Sequence, residues 1–129
     1  MEQYHRLYRC VDLAHAMVHK PQSYFKHFSF VMKGTKIISI GWNNTYKCTK
    51  INNKIIQYPF WGTHSECEAV SKLSDLNICR KATMVNVRIN NQGQIRMSMP
   101  CKTCMHLLKN VGFSRVYYTT NDGFEQLYL

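Results

Sequence analysis

The chain has no apolar run approaching the roughly 20 residues that a membrane-spanning helix needs, and it is short of acid, with 7 Asp and Glu against 17 Lys and Arg. Its first residues, Met1-Glu2-Gln3-Tyr4-His5-Arg6, lack the apolar core of a secretion signal. The expectation is a cytoplasmic or otherwise intracellular protein with no membrane partner. In such a compartment the six cysteines are not read as three disulfides, and a Cys-x-x-Cys pair with a distant histidine reads better as metal ligation. Cys10, Cys48, Cys67 and Cys79 are then expected to be small buried hydrophobes. Internal repeats and low-complexity segments are also missing. At 129 residues the chain is too short for two cores and long enough for one without disulfide staples, so residues 1–129 are expected to form a single domain.

The deficit of acid leaves a net charge of +10 and a pI near 9.5. A polyanionic or phosphate-bearing partner fits that balance, although scattered basic residues also serve simply to solvate a small domain.

Hydrophobic spacing divides the chain into elements. Leu7, Cys10, Val11, Ala14, Met17 and Val18 recur every three or four residues, predicting an amphipathic helix over 4–18 that ends before Pro21. Residues 27–32 and 36–41 are apolar, β-branched runs separated by Lys33-Gly34-Thr35, the pattern of a hairpin. His5, His15, His19 and His27 have no thiol or carboxylate cluster beside them and are read as surface or core-edge histidines. Trp42 to Gly62 is a long connection with no acidic residue, three lysines (Lys47, Lys50, Lys54) and the rings of Trp42, Tyr46, Tyr58, Phe60 and Trp61. Rings to stack bases and ammoniums to meet phosphates are what a single-stranded nucleic acid groove uses; the alternative is that these apolar residues seal the edge of the core.

A second helix is predicted from His64 to about Leu76, with Thr63 as its N-cap, and a strand over 83–89. Asn90-Asn91-Gln92-Gly93 predicts a turn into a short extended piece ending at Pro100. A third helix follows from Cys101 to about Val111, with Gly112 just past its end. Residues 114–120 predict a strand, and Asn121-Asp122-Gly123 turns the chain so tightly that a last strand over 124–129 has to return antiparallel.

Two stretches carry chemistry. Thr63-His64-Ser65-Glu66-Cys67-Glu68 offers an imidazole and a carboxylate two positions apart at a predicted helix start, and Pro100-Cys101-Lys102-Thr103-Cys104 offers two thiols three apart, suited to one tetrahedral ion. With His64, Cys101 and Cys104 as ligands, Zn2+ keeps its fourth position for water, the open arrangement of a catalytic site. Helix N-termini at both ligand groups are expected to favour the thiolates. Glu66 is placed to take and return a proton, whereas Glu68 points elsewhere as a solvated or packing residue. The competing readings are a structural zinc site and a redox Cys-x-x-Cys; the first wants a fourth ligand near His64, which is missing, and the second has no use for His-x-Glu.

His64-Ser65-Glu66 with Pro100-Cys101-Lys102-Thr103-Cys104 resembles the His-x-Glu and Pro-Cys-x-x-Cys signature of the cytidine deaminase superfamily. The resemblance covers most of the chain, and Gly41-Trp42-Asn43 resembles the superfamily's Gly-x-Asn at the end of the second strand. It implies a three-layer α/β/α fold around a five-stranded mixed sheet. It further implies zinc on His64, Cys101 and Cys104, proton transfer by Glu66, and Asn43 bonded to the substrate sugar or nearby backbone. The wider set of substrate contacts expected from it and from the aromatic loop is Trp42, Trp61, Thr63, Ser65 and Pro100. An antiparallel last strand resembles the branch of free-nucleoside cytidine deaminases and certain bacterial deaminase toxins, whose active sites are often completed across subunits, so a homo-oligomer is a further expectation. The function expected is hydrolytic deamination of cytosine to uracil, in single-stranded nucleic acid by the weight of the charge, alternatively in free cytidine, deoxycytidine or their monophosphates. An adenine substrate and a catalytically idle binding module complete the range.

Overall fold

The computed structural model of the protein describes residues 2–21, 25–44, 50–51, 54–55 and 64–129. In chain order these form α1 (Glu2–His5), α2 (Tyr8–Ala16), β1 (Lys26–Lys33), β2 (Lys36–Trp42), the two-residue strands β3 (Lys50–Ile51) and β4 (Lys54–Ile55), and α3 (Ser65–Ser71). A 3₁₀ helix (Leu76–Lys81), β5 (Thr83–Ile89), β6 (Ile95–Arg96), α4 (Lys102–Val111), β7 (Arg115–Thr119) and β8 (Phe124–Tyr128) complete the order.

The main sheet runs β2-β1-β5-β7-β8, with β6 attached to β5. It is mixed: β5 and β7 are parallel, while β1 runs antiparallel to both β2 and β5, and β8 antiparallel to β7. The return of β8 is the one its tight turn dictates. The sheet has six strands where five were expected, because Asn90 turns the chain back on itself: its Oδ1 accepts from the Gln92 and Gln94 backbone N–H groups, and Ile95–Arg96 then pairs with Ile89 and Arg88.

Side-chain alternation along the strands sends the two sheet faces to two cores. Phe28, Phe30, Val85 and Val87 pack with Leu7, Cys10, Val11 and Ala14 of the α1–α2 side, and Val31, Met84 and Val116 pack with Cys67, Ala69, Val70, Leu107 and Leu108 of α3 and α4. The result is the expected α/β/α sandwich. Cys10, Cys67 and Cys79 are buried with free thiols, as expected, and Cys48 lies outside the described residues.

Helix boundaries shift from the expectations for local reasons. The first helix is interrupted at Arg6–Leu7, where Leu7 N–H donates to the Tyr4 carbonyl in a tighter turn, leaving its apolar stripe intact. The second stops at Ser71, whose hydroxyl bonds back to the Glu68 carbonyl, a competitor to helix continuation; Asp75 then caps the 3₁₀ helix by accepting from Asn77 N–H. His64, not Thr63, is the N-cap residue of α3, with extended backbone. Gly112 closes α4 in the left-handed conformation, at φ +116°. Among the described residues no helix is long and apolar enough to cross a membrane.

Candidate metal centre and its acid/base neighbour

The parallel strands β5 and β7 are joined by the crossover that contains α4, and α3 packs alongside on β1 and β2. This brings the N-terminal ends of α3 and α4 together. His64 and Cys101 occupy the residues just ahead of the two helices, and Cys104 lies in the first turn of α4. His64 Nδ1 is 3.4 Å from Cys104 Sγ and 3.9 Å from Cys101 Sγ, and all three donor atoms lie within 4.8 Å of one another. A tetrahedral zinc with ordinary Zn–N and Zn–S bonds would separate such a nitrogen and sulfur by about 3.6 Å, close to both distances from His64, so the donor set suits that ion.

Electrostatics fit it as well. Burial holds His64 below the usual imidazole range, against the pull of the Glu66 carboxylate, which keeps the neutral ring a metal needs. The expectation that helix N-termini would favour the Cys104 thiolate is overturned in the metal-free protein. Hydrogen bonding with Cys67, then burial, then the Glu66 charge push its pKa far up. A divalent cation is the charge that reverses this order and deprotonates a coordinating thiol.

Glu66 is 6 % exposed and is held from two sides. Asn86 Nδ2 of β5 donates to its Oε2 at 3.0 Å, and the Ser65 hydroxyl donates to its Oε1 at 3.2 Å. Behind them the Ser29 hydroxyl lies 2.7 Å from Asn86 Oδ1 and 2.8 Å from Ser65 Oγ, while Asn86 Nδ2 also reaches the Ser98 carbonyl. Ser29, Ser65, Asn86 and Ser98 are each 3 % exposed or less, so their bonds form a buried polar frame that fixes the carboxylate. Sequence reasoning missed Ser29, Asn86 and Ser98. The available signal was Asn86 itself, a polar residue inside the apolar run Met84-Val85-Asn86-Val87.

The remaining expected site residues divide. Asn43 Oδ1 accepts from His27 N–H and its Nδ2 donates to the Phe25 carbonyl, so it uses both ends on nearby backbone at the entrance of β1. Ser65 supports Glu66 directly, and Pro100 is buried beside Cys101. Trp42 is on the opposite sheet face, packed with the α2 side, and the Lys72 ammonium lies 4.0 Å from its ring centroid. Trp61, Thr63 and most of the aromatic loop lie outside the described residues. Glu68 is buried and ion-paired to Lys72 at 3.4 Å, a packing residue and not a solvated one.

Among solved structures the chain is similar to the cytidine deaminase from Mycobacterium leprae, with a TM-score of 0.53, 16% identity, and 90% of this chain and 88% of that one covered. It is also similar to the dCMP deaminase from the cyanophage S-TIM5, with a TM-score of 0.54, 19% identity, and 85% and 79% covered. This is the cytidine deaminase fold. A further match to that fold is a glutamate-to-glutamine mutant of the cytidine deaminase from Mycobacterium tuberculosis, with a TM-score of 0.53, 15% identity, and 90% and 86% covered. No protein-family model and no curated protein matches the chain by sequence.

Proposed function

We propose that the protein is a zinc-dependent hydrolytic deaminase that converts cytosine to uracil, the oxygen of water becoming the new carbonyl oxygen and the amino group leaving as ammonia. The observation that carries this reading is the His64, Cys101 and Cys104 donor set at tetrahedral spacing with Glu66 buried beside it. A zinc ion held there supplies the positive charge that makes a water molecule nucleophilic at neutral pH. Glu66 accepts the proton released as water adds to the ring carbon, and returns it to the departing amine. Asn86 and Ser65, bonded to its two oxygens, orient the carboxylate for both transfers. The buried frame excludes water from the rear of Glu66, so the proton leaves only toward the substrate side.

Cytosine in single-stranded nucleic acid is the substrate favoured by the +10 charge. Free cytidine, deoxycytidine or dCMP is the second reading, favoured by a fold shared with a cytidine deaminase and a dCMP deaminase. Incubating zinc-loaded protein with deoxycytidine, dCMP and a single-stranded oligonucleotide tests both. Uracil product is expected, and Glu66→Gln is expected to lower its rate by about 10²–10⁴-fold with zinc content retained. If a nucleic acid is the substrate, its affinity falls steeply as salt rises. Equal activity of the Glu66→Gln protein would sink the catalytic reading.

A further inference from the structure

Beyond the metal centre, the same sheet face carries an unneutralised cationic row. Ser29 and Asn86 are cross-strand partners beneath Glu66, and the next pair on that face, two residues further along each strand, is His27 opposite Arg88. Arg88 is in turn directly opposite Arg96 across β5 and β6. Like charges at directly opposed positions destabilise a sheet, and no ion pair among the described residues offsets them. Among the described residues the Arg96 side chain bonds only to the Ile95 carbonyl and to Gln94 Oε1. Arg88 is stacked with its guanidinium carbon 4.5 Å from the Phe25 ring centroid, and its Nε is buried without a hydrogen-bond partner. Among the described residues neither arginine has a carboxylate within ion-pair distance.

A cavity of about 250 Å³ opens at this place, lined by Phe25, Arg88, Arg96, Asn90, Asn91 and Gln92 among others, with no acidic residue in its wall. Arg88 is about 7 Å of strand from Asn86, which touches Glu66. The neighbourhood feels the charge: burial first, then Arg88, then His64 hold the His27 imidazole down at about 4. A planar guanidinium fixed by an aromatic ring, with a second guanidinium opposite and neutral amides around, is a cradle for a tetrahedral oxyanion.

We infer that the Arg88–Arg96 cavity receives a phosphate group of the substrate, so that the deaminase acts on a nucleotide and not on a bare nucleoside. The inference rests on the deaminase reading for the base and on the two arginines for the phosphate. The phosphate is either the terminal monoester of a free nucleotide or a diester flanking the target base in a single strand.

The test uses full-length, zinc-loaded Glu66→Gln protein, in which turnover is slowed enough for binding to be titrated. Calorimetric titration with dCMP and with deoxycytidine is expected to give a preference for dCMP of on the order of tenfold or more, the scale of one charge-assisted hydrogen bond. Adding Arg88→Ala or Arg96→Ala should collapse that preference toward one. Should Arg88→Ala fail to fold, as judged by circular dichroism and zinc content, Arg88→Gln and the more peripheral Arg96→Ala carry the same test. Repeating the titrations with a short oligonucleotide separates the two sources: loss confined to dCMP assigns the monoester, and loss on both assigns a site that also takes the diester. No preference for dCMP, or a preference that survives both substitutions, overturns the inference. Either result is distinct from failure of the deaminase reading, which shows as absence of uracil from all three substrates with Glu66 intact.

Discussion

Burial and charge act on His27 in the same direction. The ring sits at the start of β1 between Arg88 and His64, and its pKa is held at about 4, well below the ordinary imidazole value of 6.5. Folded protein therefore keeps His27 neutral across a range where the unfolded chain binds a proton. Between those two values the unfolded state holds more protons, so stability is full above about 6.5, declines as pH falls through the window, and levels off near 4. Urea unfolding of the chelator-treated protein from pH 7 to pH 4 is expected to show that decline, and His27→Gln to flatten it. An unchanged slope in the variant would assign the pH dependence to other groups. Cys104 marks the complementary case, where the surroundings oppose ionisation until a cation is present.

Strand β2 and helix α3 meet with almost no space between their backbones. A Cβ added at Gly41 would lie 2.3 Å from Ala69 N and 2.4 Å from the Ser65 carbonyl oxygen. Neither atom belongs to a flexible side chain, so the helix itself must move. Gly41→Ala is expected to cost about 1–3 kcal/mol, the range for overpacking, and to reduce zinc stoichiometry as well, because α3 carries His64 at its head and Glu66 in its first turn. Thermal unfolding with a zinc assay on the purified variant checks both, and full zinc occupancy would show that α3 holds the site independently of β2. The sequence displayed Gly41 only as one member of a Gly-x-Asn motif, because close approach of two backbones leaves no trace in local pattern. The candidate donors His64, Cys101 and Cys104, which the fold brings together, and Glu66 beside them could be singled out in the sequence, since metal and acid/base chemistry demand particular residue types at short spacings. So were β5, both hairpin turns and Gly112. Asn86 and the Arg88–Arg96 opposition were not, because they become neighbours of the site only through β1–β5 and β5–β6 pairing. A two-residue strand such as β6 is too short to announce itself by alternation.

Taken as one molecule, the protein is a sheet whose only parallel pair, among the described strands, is spanned by α4. Both cysteines belong to that crossover, and they stand 37 and 40 residues from His64 in the chain. Such distant groups meet only after the loop between them has closed and β7 has docked on β5, late and topologically costly steps in assembly. A zinc ion would consequently have nothing to grip in the partly folded chain, and would meet the three donors at once when the native arrangement is complete. Stabilisation of that kind falls on escape from the native state and not on the climb toward it. Stopped-flow measurements with zinc in excess are expected to show unfolding slowed by about tenfold or more, with a refolding rate matching that of the metal-free protein; a refolding rate that rises with zinc would place the three donors together before the crossover forms. An ion held by this donor set would thus act as a clock on the molecule's lifetime: at equal synthesis, metal supply would set how long each copy stays folded.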